Sequence, residues 1–268
     1  MRIVVKVGGS IMDNQESMDR IVSDVVSLSK RNEVILVQGG GRALNTVAEK
    51  YGIRQSWVGK PRPWRVTDKE TLELMKMVIC GEAYHILGLI GKHGGIGVAI
   101  GGTTGDSIIA EKQEYITFEE GGKKKRAWIG YTGITKRVEP YLIEMLLRAQ
   151  IIPVLLCLGK GKKDECLNIN GDELAAVAAR DLKADYLILL TDVPGMMLKL
   201  GEEKTLVKKI KADKLRFMLS EGRITGGMVA KAEACVLAAK AGVRAVMADG
   251  RVKKPVYRAL ENNGTLVI

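Results

Sequence analysis

Short runs of apolar residues alternate with helical patterns along most of the chain. Ile3–Val7 and Glu33–Val37 are dense in β-branched and apolar residues, which predicts buried strands, and a glycine cluster follows each of them. Between them, Met18–Ser29 repeats apolar residues every three or four positions, which predicts an amphipathic helix. Further strands are predicted at Ile96–Ile100, Ile151–Leu156, Tyr186–Leu190, Ala245–Ala248 and Leu266–Ile268.

Helical patterns fill the intervals between these strands. They predict helices over Ala43–Tyr51, Thr71–Leu89, Leu142–Ala149, Leu174–Leu182 and Met228–Ala241. Strands that are apolar throughout are typical of parallel sheets covered on both faces. The sequence therefore predicts an α/β fold, a three-layer sandwich around a central, mostly parallel sheet.

Three segments interrupt this alternation. Trp57–Trp64 holds two prolines and two tryptophans, which indicates a loop or hairpin. Glu119–Trp128 combines a Gly-Gly turn with four consecutive cations, and Gly159–Asp164 is a second basic, glycine-rich connection. No internal repeat or low-complexity linker divides the sequence, so we expect a single domain over residues 1–268.

Composition narrows the class of protein. Of 268 residues, 46% are hydrophobic and 27% are charged, which is ordinary for a globular domain and excludes a disordered chain. No stretch approaches about 18 uninterrupted apolar residues, so we expect no transmembrane helix. The first ten residues predict a strand instead of a signal peptide. We therefore expect a cytoplasmic protein.

Cysteine and histidine content argues against a metal or disulfide framework. The chain has four cysteines, none in a C-x-x-C pair, and two histidines, so we expect reduced thiols and no metal site. The net charge of +11 makes an acidic partner or substrate a candidate. No nucleic-acid-binding signature accompanies that charge, so we expect no nucleic acid partner.

Glycine clusters after strands are the first candidates for ligand chemistry. Neither a Walker P-loop nor the G-x-G-x-x-G dinucleotide fingerprint occurs in the sequence. Gly8-Gly9 and Gly39–Gly41, however, each stand between a predicted buried strand and a predicted helix. At the carboxyl end of a parallel sheet, such turns present backbone N–H groups to phosphate or carboxylate oxygens. The alternative is that they only form tight turns.

Charged residues in apolar settings are the second candidates. Lys6 lies inside the first predicted strand, where an ammonium group is costly to bury without an anion unless it reaches water at the strand end. Lys231 follows a Gly-Gly pair in the first turns of an Ala-rich helix. Asn168, Asn170 and Asp172 project to one side of a period-two segment, and Asp172 is also suited to be a helix N-cap.

Six ordered motifs make the chain resemble the amino-acid kinase family. They are K-x-G-G-S from Lys6, Q-G-G-G from Gln38, R-V-T-D-K-E-T-L-E from Arg65, N-I-N-G-D from Asn168, L-T-D-V-P-G from Leu190 and T-G-G-M-x-x-K from Thr225. The resemblance covers nearly the whole chain and is closest to the N-acetylglutamate kinases. Within that group, D-G-R-V-x-x-P from Asp249 and the terminal G-T-L-V-I resemble the LysZ branch. Those kinases act on an α-aminoadipyl or glutamyl group carried by the small acidic protein LysW.

The resemblance implies ATP-dependent phosphorylation of a side-chain carboxylate to an acyl phosphate in lysine or arginine biosynthesis, with Mg²⁺ accompanying ATP. A carboxylate is an ionised nucleophile at neutral pH, so this chemistry needs charge neutralisation and no general base. By resemblance, Lys6, Lys231 and Asp172 are catalytic. The acceptor-binding positions match Gly40, Gly41, Arg65 and Asn168. The nucleotide-binding positions match Gly8, Gly9, Asp192, Gly195, Arg223, Ile224 and Thr225.

The chain departs from the family pattern at two places. Gln38 stands where most relatives have histidine, so no proton transfer is assigned to it. Tyr84 and His85 replace a V-N-K-type continuation after Gly81, on a predicted helix that borders the acceptor site or the dimer contact in the family.

The resemblance also implies partners and a division of the chain. Residues 1–155 would form an acceptor-binding lobe, residues 156–268 a nucleotide-binding lobe, and Thr71–Leu89 a homodimer contact. An acidic, LysW-like carrier is expected to dock on the cations of the three interrupting segments: Lys60, Arg62, Lys123, Lys124, Lys125, Arg126, Lys160, Lys162 and Lys163. Basic loops of this kind are also typical of ordinary solvated surface.

Two other functions stay open on sequence grounds. One is a kinase for free N-acetylglutamate, because glutamate and α-aminoadipate differ by one methylene, which is worth only about 1–3 kcal/mol of discrimination. The other is a non-enzyme that uses the same fold to sense an amino acid or a nucleotide.

Overall fold

The computed structural model describes residues 1–199 and 202–268. Its strands are β1 (Arg2–Val7), β2 (Glu33–Gln38), β3 (Trp57–Val58), β4 (Trp64–Arg65), β5 (Gly97–Ile100), β6 (Ile108–Lys112), β7 (Tyr115–Glu120), β8 (Lys123–Trp128), β9 (Thr132–Val138), β10 (Ile152–Leu155), β11 (Leu158–Lys160), β12 (Cys166–Ile169), β13 (Tyr186–Thr191), β14 (Lys209–Ile210), β15 (Arg244–Asp249) and β16 (Thr265–Val267). Its α-helices are α1 (Gly9–Met12), α2 (Gln15–Ser29), α3 (Gly41–Lys50), α4 (Lys69–Lys92), α5 (Pro140–Arg148), α6 (Gly171–Asp181), α7 (Ala212–Ser220), α8 (Gly227–Lys240) and α9 (Pro255–Leu260).

A large sheet in the order β14-β16-β15-β13-β1-β2-β10-β5 forms the centre of the molecule. Its neighbouring strands pair in parallel, except that β15 and β16 pair antiparallel. The prediction of an α/β fold with a mostly parallel sheet is confirmed. The N-terminal strand β1 lies between β2 and β13, so residues from both halves of the sequence meet at its carboxyl end.

Helices cover both faces of this sheet. Val4 and Val5 point to opposite faces of β1, yet neither side chain has any exposed surface. Helix α2 packs against α4 and α9, whereas α6 packs against α8. The result is the predicted arrangement of a sheet between two helical layers.

A small closed barrel of β11, β12, β9 and β6 stands beside the large sheet, together with two separate hairpins. The hairpin β3–β4 confirms the prediction for Trp57–Trp64. The prediction of a loop at Glu119–Trp128 is wrong, because β7 and β8 pair from Tyr115–Trp128 to Glu120–Lys123. Gly121 and Gly122, both with positive φ, make the tight turn that closes this hairpin. The basic connection Gly159–Asp164 likewise begins inside strand β11.

Helix α4 is the longest helix that the structure describes. Its N-cap is Asp68, whose Oδ1 accepts a hydrogen bond from the Thr71 N–H at 2.7 Å. By length and composition this one helix would be able to cross a membrane. The core helix of a globular protein passes the same test, and Met75, Ile79 and Ile86 of α4 are buried in the core.

Candidate active site

The two predicted glycine turns lie against each other at the carboxyl edge of the large sheet. Strands β1 and β2 run in register, with Val7 opposite Gln38, so the turns that follow them begin side by side. A Cβ on Gly39 would lie 2.7 Å from the carbonyl oxygen of Val7 and 3.2 Å from the Gly9 nitrogen. Only glycine permits this approach. The turns therefore form one continuous glycine-lined edge.

A carboxylate stands between two ammonium groups beside this edge. The Lys6 Nζ lies 2.7 Å from Asp172 Oδ1, and the Lys231 Nζ lies 3.3 Å from Asp172 Oδ2. Lys6 comes from β1, Asp172 from the first turn of α6 and Lys231 from the second turn of α8. The three predicted catalytic residues are thus in direct contact. Two ammonium groups and one carboxylate leave an excess of one positive charge.

The backbone makes room for this contact. A Cβ on Gly171 would lie 3.3 Å from Lys6 Cε and 2.9 Å from Cys157 Sγ, so the glycine lets α6 begin close to β1. Asn170 caps the helix through its Oδ1, which accepts from the backbone N–H of Asp172 and of Glu173. The alternative of Asp172 as the N-cap is therefore wrong, and its side chain is turned to the lysines instead.

Asp172 is ionised in this setting. Burial by itself raises the pKa of Asp172, but Lys6 and Lys231 outweigh it, and the pKa lies below its ordinary value. The neighbouring Cys157 behaves oppositely: burial raises the pKa of its thiol to about 12. At neutral pH the cluster therefore contains a fixed carboxylate and no thiolate nucleophile.

A cavity of about 210 Å³ opens in front of the lysine–aspartate cluster. Its lining includes the four predicted acceptor-binding residues, Gly40, Gly41, Arg65 and Asn168. It also includes residues that the sequence did not assign to acceptor binding, among them Trp57, Arg62, Trp64, Thr132 and Cys157. Three of these, Trp57, Arg62 and Trp64, belong to the Trp57–Trp64 segment, whose unusual composition could have indicated a binding role.

Arg65 is the main cation of the cavity wall. It is 6% exposed, and its guanidinium donates to Asn45 Oδ1 at 2.8 Å, to the Gly41 carbonyl oxygen at 3.2 Å and to Gln55 Oε1. It also stacks on Trp57 at 4.1 Å. Burial lowers the pKa of Arg65 to about 10, so it stays charged at neutral pH. In the described residues no carboxylate pairs with it, so its charge is free to attract an anionic ligand.

Other polar groups of the cavity hold one another in place. The Asn168 Nδ2 donates to Thr67 Oγ1 at 2.9 Å, and Thr132 Oγ1 lies 3.2 Å from the same hydroxyl. Gln38 lies outside this lining: its side chain is fully buried and donates to the Ile79 carbonyl oxygen at 2.8 Å. That placement agrees with assigning it no proton transfer.

Most of the predicted nucleotide-binding residues lie outside this cavity. Asp192 follows β13, the neighbour of β1. Burial alone raises the pKa of Asp192, but hydrogen bonds from its own backbone, Ser10 and Thr191 outweigh it and lower the pKa. Six of the seven predicted residues, Gly8, Asp192, Gly195, Arg223, Ile224 and Thr225, do not line the cavity, whereas Gly9 does.

The segment of residues 223–226 leads directly into α8. Gly226 has a φ of 62°, a conformation that favours glycine, and α8 begins at the next residue. Ile224 is buried, whereas Thr225 is exposed and Arg223 pairs loosely with Glu221 at 3.9 Å.

The nine predicted carrier-docking cations do not form one free surface. Arg62 is half-buried and binds two glutamates, and Lys160 pairs with Asp106 at 2.7 Å and Asp164 at 2.9 Å. Lys123, Lys124, Lys125 and Arg126 form an exposed row along β8, in which Lys125 pairs with Glu120 at 2.6 Å. A cleft lined by both hairpins separates β3–β4 from β7. Lys160, Lys162 and Lys163 do not line it.

Comparison with known proteins adds an independent observation. A family model described as the amino acid kinase family matches residues 1–249. An acetylglutamate kinase from Clostridioides difficile (strain 630) is 36% identical over 271 residues, covering 99% of this chain and 90% of that protein. An acetylglutamate kinase from Methanopyrus kandleri is 34% identical over 265 residues, covering 98% of this chain and 99% of that protein.

Solved structures share the fold. A protein from Streptococcus mutans UA159, smu.665, superposes with a TM-score of 0.77 at 24% identity. The match covers 99% of this chain and 98% of that one. The whole length of the chain is therefore accounted for by a single known fold.

Proposed function

Because the chain belongs to the amino acid kinase family, we propose that it transfers the γ-phosphoryl group of ATP to the side-chain carboxylate of free N-acetylglutamate. The chain is an ATP-dependent kinase of carboxyl groups in amino-acid biosynthesis, and the identity of the acceptor is the finer proposal. The relatives at 34–36% identity are acetylglutamate kinases, which favours the free acceptor over a carrier-bound one. The non-enzyme alternative, a sensor on the same fold, is set aside because the chain is a kinase.

The contact of Lys6 and Lys231 with Asp172 is the observation that carries this proposal. Transfer of a phosphoryl group to a carboxylate brings two anions together, and charge is spread over the transferring group in the transition state. Preorganised ammonium groups stabilise that charge without reorganising at the moment of reaction. Asp172 holds both of them, at 2.7 and 3.3 Å, beside the glycine-lined edge.

Each remaining side chain of the site has a role that follows from its chemistry. Arg65, charged and unpaired in the described part of the chain, is suited to bind a carboxylate that does not react. Asn168 and the backbone of Gly40 and Gly41 provide hydrogen bonds that fix the acceptor in the cavity. Gly9 turns its backbone N–H to the phosphates, while the Gly8 N–H donates to the Leu190 carbonyl oxygen at 3.2 Å. A carboxylate acceptor is already ionised, so no residue is assigned as general base.

We propose that Mg²⁺ arrives with the nucleotide. Mg²⁺ prefers oxygen ligands and keeps several waters, so one or two carboxylates beside the phosphates suffice. Asp192 has a lowered pKa and stands at the edge that Gly8 shares, so its ionised carboxylate fits this need. When bound, the ion neutralises phosphate charge. No cluster of three potential metal ligands occurs within residues 1–199 and 202–268.

We also propose that two parts of the chain bind different ligands, as the motifs suggest. Residues 1–155 bring Gly40, Gly41 and Arg65 to the acceptor, and residues 156–268 bring Asp192 and the α8 segment to the nucleotide. The barrel strand β12 contributes Asn168 to the acceptor cavity, so the boundary between the two parts crosses the cavity itself.

A carrier-bound glutamate or α-aminoadipate is the second candidate acceptor. It is favoured by the cleft between hairpins β3–β4 and β7–β8, because this cleft shares Arg62 and Trp64 with the acceptor cavity. The exposed row Lys123–Arg126 lies on β8 of the second hairpin, outside the lining of the cleft, and suits an acidic LysW-like partner. The cleft and the row together offer a route by which a carrier could present its substrate.

The deciding experiment offers ATP and Mg²⁺ with three kinds of acceptor. These are free N-acetylglutamate, free α-aminoadipate, and each amino acid attached to a small acidic carrier protein. We expect acceptor-dependent ADP formation with free N-acetylglutamate. Turnover confined to the carrier-bound acceptors would favour the second candidate, and no turnover with any of them would contradict both.

A further inference from the structure

A single arginine at the tip of hairpin β3–β4 forms salt bridges to two helices. Arg62 Nη1 donates to Glu233 Oε2 at 2.9 Å, and Arg62 Nη2 donates to Glu173 Oε2 at 3.1 Å. The guanidinium also stacks over Trp64 at 4.3 Å. The side chain is only 18% exposed, so both of its charged contacts are partly shielded from water.

The two glutamates stand next to the residues of the catalytic cluster. Glu173 directly follows Asp172 on α6, and Glu233 comes two residues after Lys231 on α8. Residues one or two apart on a helix point in different directions, so the glutamates face the hairpin while Asp172 and Lys231 face each other. Glu173 is itself fixed, because its Oε1 accepts from the Thr135 N–H at 2.6 Å.

The same hairpin forms a wall of the acceptor cavity. Arg62, Pro63 and Trp64 line it, and Arg65 at the base of the hairpin donates to the Gly41 carbonyl oxygen at 3.2 Å. The hairpin is therefore held at both ends. Arg65 ties its base to the acceptor side, and Arg62 ties its tip to α6 and α8.

We infer that Arg62 is a positioning residue that holds hairpin β3–β4 over the acceptor cavity and aligns it with the helices that carry Asp172 and Lys231. Its planar fork reaches two carboxylates at once, which a lysine cannot do with the same geometry. The prediction that Arg62 docks an acidic carrier is replaced by this role, because its donors are occupied by Glu173 and Glu233. The kinetic part of the inference rests on the proposed function.

The first test measures the hairpin itself and needs no activity. Amide hydrogen exchange over residues 57–65 is compared in wild type, Arg62→Gln, Glu233→Gln and Arg54→Gln. Arg54 is the matched control, because it is an exposed arginine three residues before β3. We expect exchange to rise about fivefold or more in the first two variants and to stay unchanged in the control. Unchanged exchange in Arg62→Gln would overturn the inference.

The second test separates positioning from general stability. We expect Arg62→Gln to raise the acceptor KM about tenfold and to lower kcat, while the ATP KM changes less than about twofold. Arg62→Lys should recover part of the loss. Adding Glu233→Gln to Arg62→Gln should cost little more, because both changes break the same contact. Fully additive losses, or an equal rise in the ATP KM, would overturn the inference. If wild type phosphorylates no acceptor, the proposed function fails while the exchange experiment still decides the role of Arg62.

Discussion

At the scale of single residues, the site depends on charged side chains that are buried in the folded protein. Lys6 and Asp172 are 6% and 5% exposed, and each is buried with a partner of opposite charge. The net positive charge that Lys231 adds is oriented to an anion before any ligand arrives. This is the physical content of preorganisation: the favourable dipoles and charges are in position before the reaction begins.

Removing either lysine should abolish the charge stabilisation and leave the fold intact. We expect Lys6→Ala and Lys231→Ala to lower kcat by about 10²–10³ or more, because each group acts mainly on the transition state. Steady-state ADP formation measures this, and circular dichroism monitors the fold. Lys240→Ala is the matched control, since it removes an exposed lysine from the same helix α8. Near-normal turnover in both site variants would contradict the mechanism.

Arg65 offers a separate test of acceptor binding. In Arg65→Lys the positive charge remains but the planar fork is lost, so the contacts to Gly41 and Asn45 cannot all be kept. We expect the acceptor KM to rise about tenfold or more with little change in the ATP KM. Equal effects on the two substrates would show that Arg65 supports the fold in general.

Only part of this residue chemistry could be read from the sequence. Lys6 was recognisable because a lysine inside an apolar strand needs an anion, and Asp172 because it follows an Asn-rich segment before a helix. The sequence did not distinguish Asn170 from Asp172 as the N-cap, since both types cap helices well. The pairing of Arg62 with Glu173 and Glu233 links positions 111 and 171 residues apart, which no local pattern predicts.

At the scale of elements, hydrophobic periodicity predicted the helices and strands that have an apolar face. It did not predict the strands whose pairing partners are distant in sequence. The predicted helix Met18–Ser29 is α2, Gln15–Ser29, and the capping Asn14 explains its earlier start. The barrel strands β6, β9, β11 and β12 are mixed in polarity, so their positions depend on partners distant in sequence. Strand β8 was missed because its four consecutive cations conceal the alternation of a hairpin.

Hairpin β7–β8 makes a prediction that separates the two candidate acceptors. Replacing Lys123, Lys124, Lys125 and Arg126 with glutamine should leave kinetics with free N-acetylglutamate unchanged, because none of the four lines the acceptor cavity. With a carrier-bound acceptor, the apparent KM should rise several-fold at low salt and less at high salt, since exposed charges are screened. Kinetics at two salt concentrations measure this. Replacing the exposed Lys30 and Arg31 after α2 is the control, and an unaltered carrier KM at low salt would exclude docking on this row.

At the scale of the whole molecule, helix α4 and the residue before strand β5 carry apolar side chains that face solvent. Met77 and Tyr84 on α4 are 66% and 77% exposed, and Ile96, just before the edge strand β5, is 65% exposed. Exposed apolar groups of this size are typical of a surface that another protein covers. They support the proposal of a homodimer through α4.

The homodimer is tested by a mass measurement in solution. We expect light scattering after size-exclusion chromatography to give twice the chain mass of 29.2 kDa at micromolar concentration. The double change Met77→Asp and Tyr84→Asp should shift the protein to monomer, because a buried unpaired carboxylate is costly at an interface. A wild-type monomer at micromolar concentration would remove the proposal.

The central claim is that a carboxylate receives the phosphoryl group, and the bond formed can be identified directly. An acyl phosphate reacts with hydroxylamine to give a hydroxamate, so the measurement is hydroxamate formation from ATP, Mg²⁺ and free N-acetylglutamate. We predict one hydroxamate for each ADP released in wild type, and a loss of about 10²-fold or more in Lys231→Ala. ADP release without hydroxamate, or hydroxamate formation that survives the loss of Lys231, would contradict the account.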